Sequence, residues 1–177
     1  MNLQQLLHEY NRGDRDFSGL LLKGATFVSS RLSGINFNRC DLTGADFSNA
    51  DLSRANLTEA NLTDAELAGA NLSGACLQAS NFIGANLQSA SLIGANLVGA
   101  DLRAANLENA DLSGADLTEA MLSGANLANV NLTGACLEVR ELENTDYDGA
   151  RLDDVVIAAA CEVSTDALHW VSWGAHC

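Results

Sequence analysis

Every fifth residue from Phe17 to Ile157 is Leu, Phe, Tyr or Ile, 29 positions in unbroken succession. Two places before each stands a small residue, nearly always Ala. Asn or Asp usually comes just before it and Ser or Thr just after, as in Ala45-Asp46-Phe47-Ser48-Asn49. No regular element accommodates this period. On an α-helix five residues turn the chain about 500°, which smears the Leu side chains around every face. On a strand the period of two sends alternate Leu side chains to opposite faces. A chain that turns a corner every five residues keeps Leu and Ala pointing inward, and stacked turns bury a continuous core. Ala suits a crowded inner corner, and Gly or Asn at the next corner tolerates positive φ.

The pentads Ala45–Asn49, Ala115–Glu119 and Ala125–Asn129 resemble those of the pentapeptide repeat family, and the resemblance spans residues 15 to 159. It implies an all-β fold, a right-handed quadrilateral parallel β-helix with four pentads per coil. That gives about seven coils, about 34 Å of column at the spacing of paired strands. The expected organisation is an N-terminal capping helix over 1–14, the repeat over 15–159, and a C-terminal cap with a short helix over 160–177. The leader Leu6-Leu7-x-x-Tyr10-x-x-Gly13-x-Arg15-Asp16-Phe17 is similar to that of cyanobacterial members. Some of these, the HetL-like proteins, regulate heterocyst differentiation by binding a transcriptional regulator.

With 177 residues the chain is one domain. Mean hydropathy is +0.05, and no apolar run approaches the ~18 residues of a membrane span. Residues 1–9 lack the basic and apolar regions of a signal peptide, so a cytoplasmic chain is expected. Cys40, Cys76, Cys136, Cys161 and Cys177 follow no framework spacing. Cys76 and Cys136 share a column but stand three coils apart, about 14 Å, beyond the reach of a disulfide. Free thiols are expected. The Asn-Leu-Ser and Asn-Leu-Thr triplets at Asn56, Asn61, Asn71 and Asn131 are by-products of the repeat.

The net charge of −14 is uneven. Residues 1–54 balance, whereas 55–137 and 138–177 each carry −7. Such a surface disfavours direct binding of nucleic acid. It suits a basic protein partner, or serves solubility.

Leu3, Leu6, Leu7 and Tyr10 recur at helical spacing, with Asn2 as N-cap and Gly13 as the stop. This helix covers the open end of the first coil or, alternatively, meets a partner. Phe17 stacks under Phe37 and Phe27 under Phe47 if four pentads make a coil. The outer columns then read Asp41, Asn61, Asn81, Asp101, Met121, Glu141 and Asp46, Glu66, Asn86, Asn106, Asn126, Asp146. Asn runs of this kind form hydrogen-bonded ladders. Ile83, Ile93 and Val98 are scattered rather than grouped.

Arg140 and Thr145 stand where Ala belongs. A charged Arg cannot stay unpaired in an apolar corner. The chain therefore bulges, or Arg140 pairs with Glu138, Glu141 or Glu143; a recognition feature is the sharper alternative. After Ile157 the repeat stops. Ser164-Thr165-Asp166 opens a short helix to about Trp173, with Gly174 beyond. Trp170 and Trp173 seal the last coil, or seal it and also contact a second copy or a partner.

The chain holds no phosphate loop, nucleophile elbow or HExxH. Its repeat-derived acids lack the contrasting environments that drive catalytic pKa values apart. His169, His176, Cys161 and Cys177 lack zinc-site spacing. No catalytic, cofactor-binding or metal residues are assigned, and no cofactor or membrane contact is expected. The candidate interaction residues are Trp170, Trp173, Arg140, Glu141 and Glu143. The leading reading is a non-catalytic, regulatory protein-binding rod, monomeric or dimeric through the C-terminal helix. Resemblance to cyanobacterial members implies a regulator of cell differentiation as partner. The other reading is a DNA mimic that binds DNA gyrase or another DNA-binding protein, as some family members do.

Overall fold

The backbone amides of one pentad, residues 55–59, show what the sequence builds. In the computed structural model, which describes residues 3–142 and 145–157, all five find acceptors. Asn56 N–H donates to Ile35 in the preceding coil; Leu57 and Glu59 donate to Cys76 and Gln78 in the next. Ala55 N–H closes a turn on Leu52. The fifth amide, Thr58, has no backbone partner and donates to Asn56 Oδ1 at 3.0 Å. The same side-chain turn recurs at Asp46 (2.9 Å), Asn81 (2.9 Å) and Asn126 (3.0 Å). Asn or Asp precedes the central residue because only a short side-chain acceptor reaches the amide two residues on.

Parallel bridges link residues 20 apart, from Asp16 with Asn36 through Asn131 with Arg151, and β1 (Cys136–Leu137) pairs with β2 (Val156–Ile157). Twenty residues are four pentads, so the coil has four walls. Each wall is mostly a single bridge wide, because a corner every five residues leaves room for no longer strand. Corner residues adopt positive φ, as at Asn109 (59°) and Gly84 (68°). A Cβ on Gly84 would also meet Asp64 Oδ1 at 2.5 Å, so a side chain at this corner requires the Asp64 carboxylate to move.

Every central residue from Phe17 to Leu137 is buried, as are the inward small residues from Ala45 to Ala135. Ser80 is the polar exception, and its hydroxyl donates to Leu77 O at 2.5 Å. Phe27 and Phe47 stack at 4.7 Å, and Phe17 and Phe37 tilt together at 6.5 Å. Phe37 also meets Phe27 (5.7 Å) and Phe47 (6.2 Å), which joins the rings into one cluster.

Helix α1 (Leu3–Arg12) buries Leu6 completely and packs Leu3, Leu7 and Tyr10 on the core. Tyr10 OH donates to Ser33 O at 2.8 Å, and the Arg15 guanidinium lies 4.0 Å from the Tyr10 ring centre. Gly13 ends the helix at φ 111°. Asn2 lies outside the described residues. No helix among the described residues is long and apolar enough to cross a membrane.

The cysteine expectation needs correction. Cys40 is a free, buried thiol, and burial pushes its pKa up. Cys76 and Cys136, however, are disulfide-bonded. Column spacing excludes a bond between those two and leaves each open to another sulfur. Cys161 and Cys177 lie outside the described residues.

Two substitutions separate core from turn. Leu87→Ala removes a fully buried central side chain, and denaturant melts are expected to show a loss of about 2–5 kcal/mol. Asn96→Ala strands the Val98 amide and is expected to cost about 1 kcal/mol. Asn96→Asp, which keeps the acceptor, is expected to stay close to the parent.

Candidate functional site

Many outward side chains are held by their neighbours. Asn side chains donate one coil back along the columns: Asn36 to Asp16 (2.9 Å), Asn86 to Glu66 (2.9 Å) and Asn126 to Asn106 (3.2 Å). Asn131 does the same to Asp111 (3.1 Å). Like charges meet at Asp46 and Glu66, which bridge directly. Asp46 turns to Ser48, whose hydroxyl donates at 2.6 Å, and Glu66 takes Asn86, so neither carboxylate faces the other unrelieved.

Cations attach to particular acids. Arg39 forks onto Glu59 in the next coil at 2.9 and 3.0 Å. Arg103 grips Asp101 with two bonds of 2.8 and 2.7 Å, and Lys23 reaches Asp41 at 3.2 Å. Among the described residues, every resolved carboxylate shift is downward. No group of His, Cys, Asp and Glu among them is arranged to hold a metal ion.

Of the expected interaction residues, Arg140 and Glu141 are described; Glu143, Trp170 and Trp173 lie outside the described residues. The pattern does break at Arg140. Val139–Leu142 forms a 3-10 helix that carries Arg140 into solvent. There the guanidinium pairs with Glu138 at 2.6 Å and Glu141 at 3.6 Å, so the bulge and the ion pair occur together. Glu141 also accepts the Leu122 amide at 3.3 Å in place of a backbone carbonyl. The register resumes where Asp146 bridges Asn126, so no residue is inserted.

Tyr147 and Leu152 were legible only as core, since both hold the central position. They are instead 46% and 40% exposed, because among the described residues no further coil covers them. A shallow depression of about 520 Å³ opens beside them, lined also by Asp146, Asp148 and Ala150. The Asp-Tyr-Asp triplet, the one Tyr in a central position, is the sequence signal that marks this place. Elsewhere, Leu21, Val28, Ile93 and Met121 are also exposed, and Ile83 and Val98 are half-buried on walls other than that of Ile93.

The tied carboxylates make stability pH-dependent. The Ser48 hydroxyl and amide hold the Asp46 carboxyl below its ordinary value of 3.8; the Thr43 hydroxyl, with Lys23 as a lesser contributor, does so for Asp41. A depressed pKa contributes stability that is complete above the ordinary value and lost as pH falls through the folded value. Thermal melts from neutrality downward are therefore expected to show this loss below pH 3.8. Asp46→Asn keeps an acceptor and removes the titration, so its melting temperature is expected to fall less than the parent's over that range.

The pattern of the family described as Pentapeptide repeats matches residues 21–58, 45–82, 80–118 and 100–138. Among solved structures, the chain is similar to Rfr23, a pentapeptide repeat protein from the cyanobacterium Cyanothece 51142. That match has 25% identity, 82% of this chain and 99% of that one covered, and a TM-score of 0.58. HetL from Nostoc sp. strain PCC 7120, a pentapeptide repeat protein involved in heterocyst differentiation regulation, is 27% identical over 88% of this chain and 94% of its own, with a TM-score of 0.27. No curated protein sequence matches the chain. The likeness is one of fold, a right-handed quadrilateral β-helix. Since the pentad governs both the amide bonding and the burial, and the family pattern covers about two thirds of the length, this chain belongs to the pentapeptide repeat family.

Proposed function

We propose that this protein is a non-catalytic rod of about seven coils whose outer surface binds a partner protein in a regulatory role. In this reading α1 closes the first coil. The observation that carries it is the bonding of the outward side chains: Asx turns within pentads and amide ladders between coils fix them before any partner arrives. Prefixed side chains lower the ordering cost of association, which otherwise consumes much of the contact energy. The finer assignment, to a transcriptional regulator of cyanobacterial cell differentiation, rests on the resemblance of the leader.

A second reading, a DNA mimic acting on gyrase or another DNA-binding protein, is favoured by the charge of −14. Duplex DNA of about 34 Å carries about 20 charges. Against it, Arg39, Arg103 and Lys23 neutralise acids on the walls. In a gyrase supercoiling assay the rod is expected to leave the rate unchanged; inhibition or protection at micromolar concentration would move the assignment to this second reading.

The cytoplasm is the proposed location. The disulfides of Cys76 and Cys136 count against it: reducing cytosol strips most disulfides, so in that location both sulfurs are expected as thiols. Rapid alkylation in whole cells decides, and oxidised cysteines in the trapped protein would overturn the placement.

The binding reading is tested by affinity capture from source-cell extract with two chains. One is native; in the other the outward polar residues are scrambled among pentads while inward and turn-forming residues stay. Both are expected to fold, and only the native chain is expected to retain a specific partner. Capture that survives scrambling overturns the reading.

A further inference from the structure

The terminal coil combines two features that occur together nowhere else among the described residues. Tyr147, Leu152 and Val156 present exposed apolar surface. Around them, the described residues from 138 to 157 hold six acids and only two arginines. Both arginines are engaged, Arg140 by Glu138 and Glu141 and Arg151 by Asp153 at 3.5 Å. Asp146 and Asp148 flank Tyr147 at the depression, and neither forms an ion pair among the described residues.

We propose that this coil docks a basic amphipathic segment of a partner protein. The inference rests on the protein-binding reading and supplies its surface and partner class. A Lys or Arg side chain suits the place chemically. Its alkyl stem covers Tyr147 and Leu152 while its charged head reaches Asp146 or Asp148. A cation over the Tyr147 ring gains further attraction, as Arg15 does over Tyr10 at the opposite end.

Charge selects this occupant over two others. A second copy docked face to face would set the same acid-rich rim against itself. Residues 158–177 bring Trp170 and Trp173 with Glu162 and Asp166 but no Lys or Arg, so a cap formed by them would leave Asp146 and Asp148 without counter-charge.

The test uses the full chain and a fluorescein-labelled peptide with Leu and Lys at helical spacing; a counterpart with Glu for Lys is the control. Anisotropy is expected to show saturable binding of the Lys peptide alone, weakening as salt is added. Asp146→Asn/Asp148→Asn and, separately, Tyr147→Ser are each expected to weaken it about tenfold. Asp51→Asn/Asp111→Asn, two acids of a different wall, is expected to leave it unchanged. Melting curves verify that each variant is folded. The proposal is overturned if the Lys peptide fails to saturate, as it would if residues 158–177 or a second copy covered the face. Equal binding of the Glu peptide, or equal weakening by the Asp51/Asp111 pair, overturns it too. If the Tyr147 and Asp146/Asp148 variants still capture the extract partner that the scrambled chain loses, only the docking surface falls and the binding reading stands.

Discussion

Hydrogen bonding between coils is what the rest of the molecule depends on. A chain that turns every five residues gives up long strands and helices alike, and each coil must satisfy its amides on its neighbours. Three amides per pentad reach other coils and one closes a turn. The remaining amide has no backbone acceptor within reach, and the Asn or Asp before the central residue supplies one. The Leu and Ala column that dominates the sequence is thus half of the specification. It fixes what is buried, while the Asx turn fixes how the backbone rounds the corner.

This division explains which parts of the fold were legible. Period and inward direction follow from spacing alone, because a slip by anything but whole pentads would turn Leu outward. The 20-residue register came from the family resemblance, since coils of three or five pentads would bury the same leucines. The Phe27–Phe47 stack followed from the register by arithmetic. Arg140 was legible as a break because a charge in an apolar corner has few outcomes, and outward pairing was one of them. Tyr147 and Leu152 were not legible as exposed. Pattern reports the direction a side chain points, but burial also requires a further layer, and the repeat carries no mark of where its layers end. The disulfides of Cys76 and Cys136 were missed for a related reason. Column geometry constrains pairs within the repeat and says nothing about sulfur elsewhere.

The leader carries less functional information than its resemblance implies. Leu6 and Leu7 pack on the core, Tyr10 bonds Ser33, and Gly13 supplies a positive φ. Arg15 covers Tyr10, and Asp16 receives the Ser18 amide and the Asn36 side chain. Phe17 is core. Each of these positions has a task in attaching the helix to the first coil. Any relative that closes its rod in this way needs similar residues, whatever it binds. Partner identity has to be sought in outward residues that the fold leaves free to vary.

Charge is where that freedom shows. Through the middle of the rod several acids accept amides, Asn side chains or guanidinium groups, and these bonds reduce what they can offer a partner. The residues from 75 to 94 carry no charged side chain at all. The first 54 residues balance, whereas the described residues from 138 to 157 hold six acids against two arginines, so the described rod has a neutral end and an acidic one. A field of that shape orients an approaching basic protein before contact and raises the rate of productive encounter, an effect that salt removes.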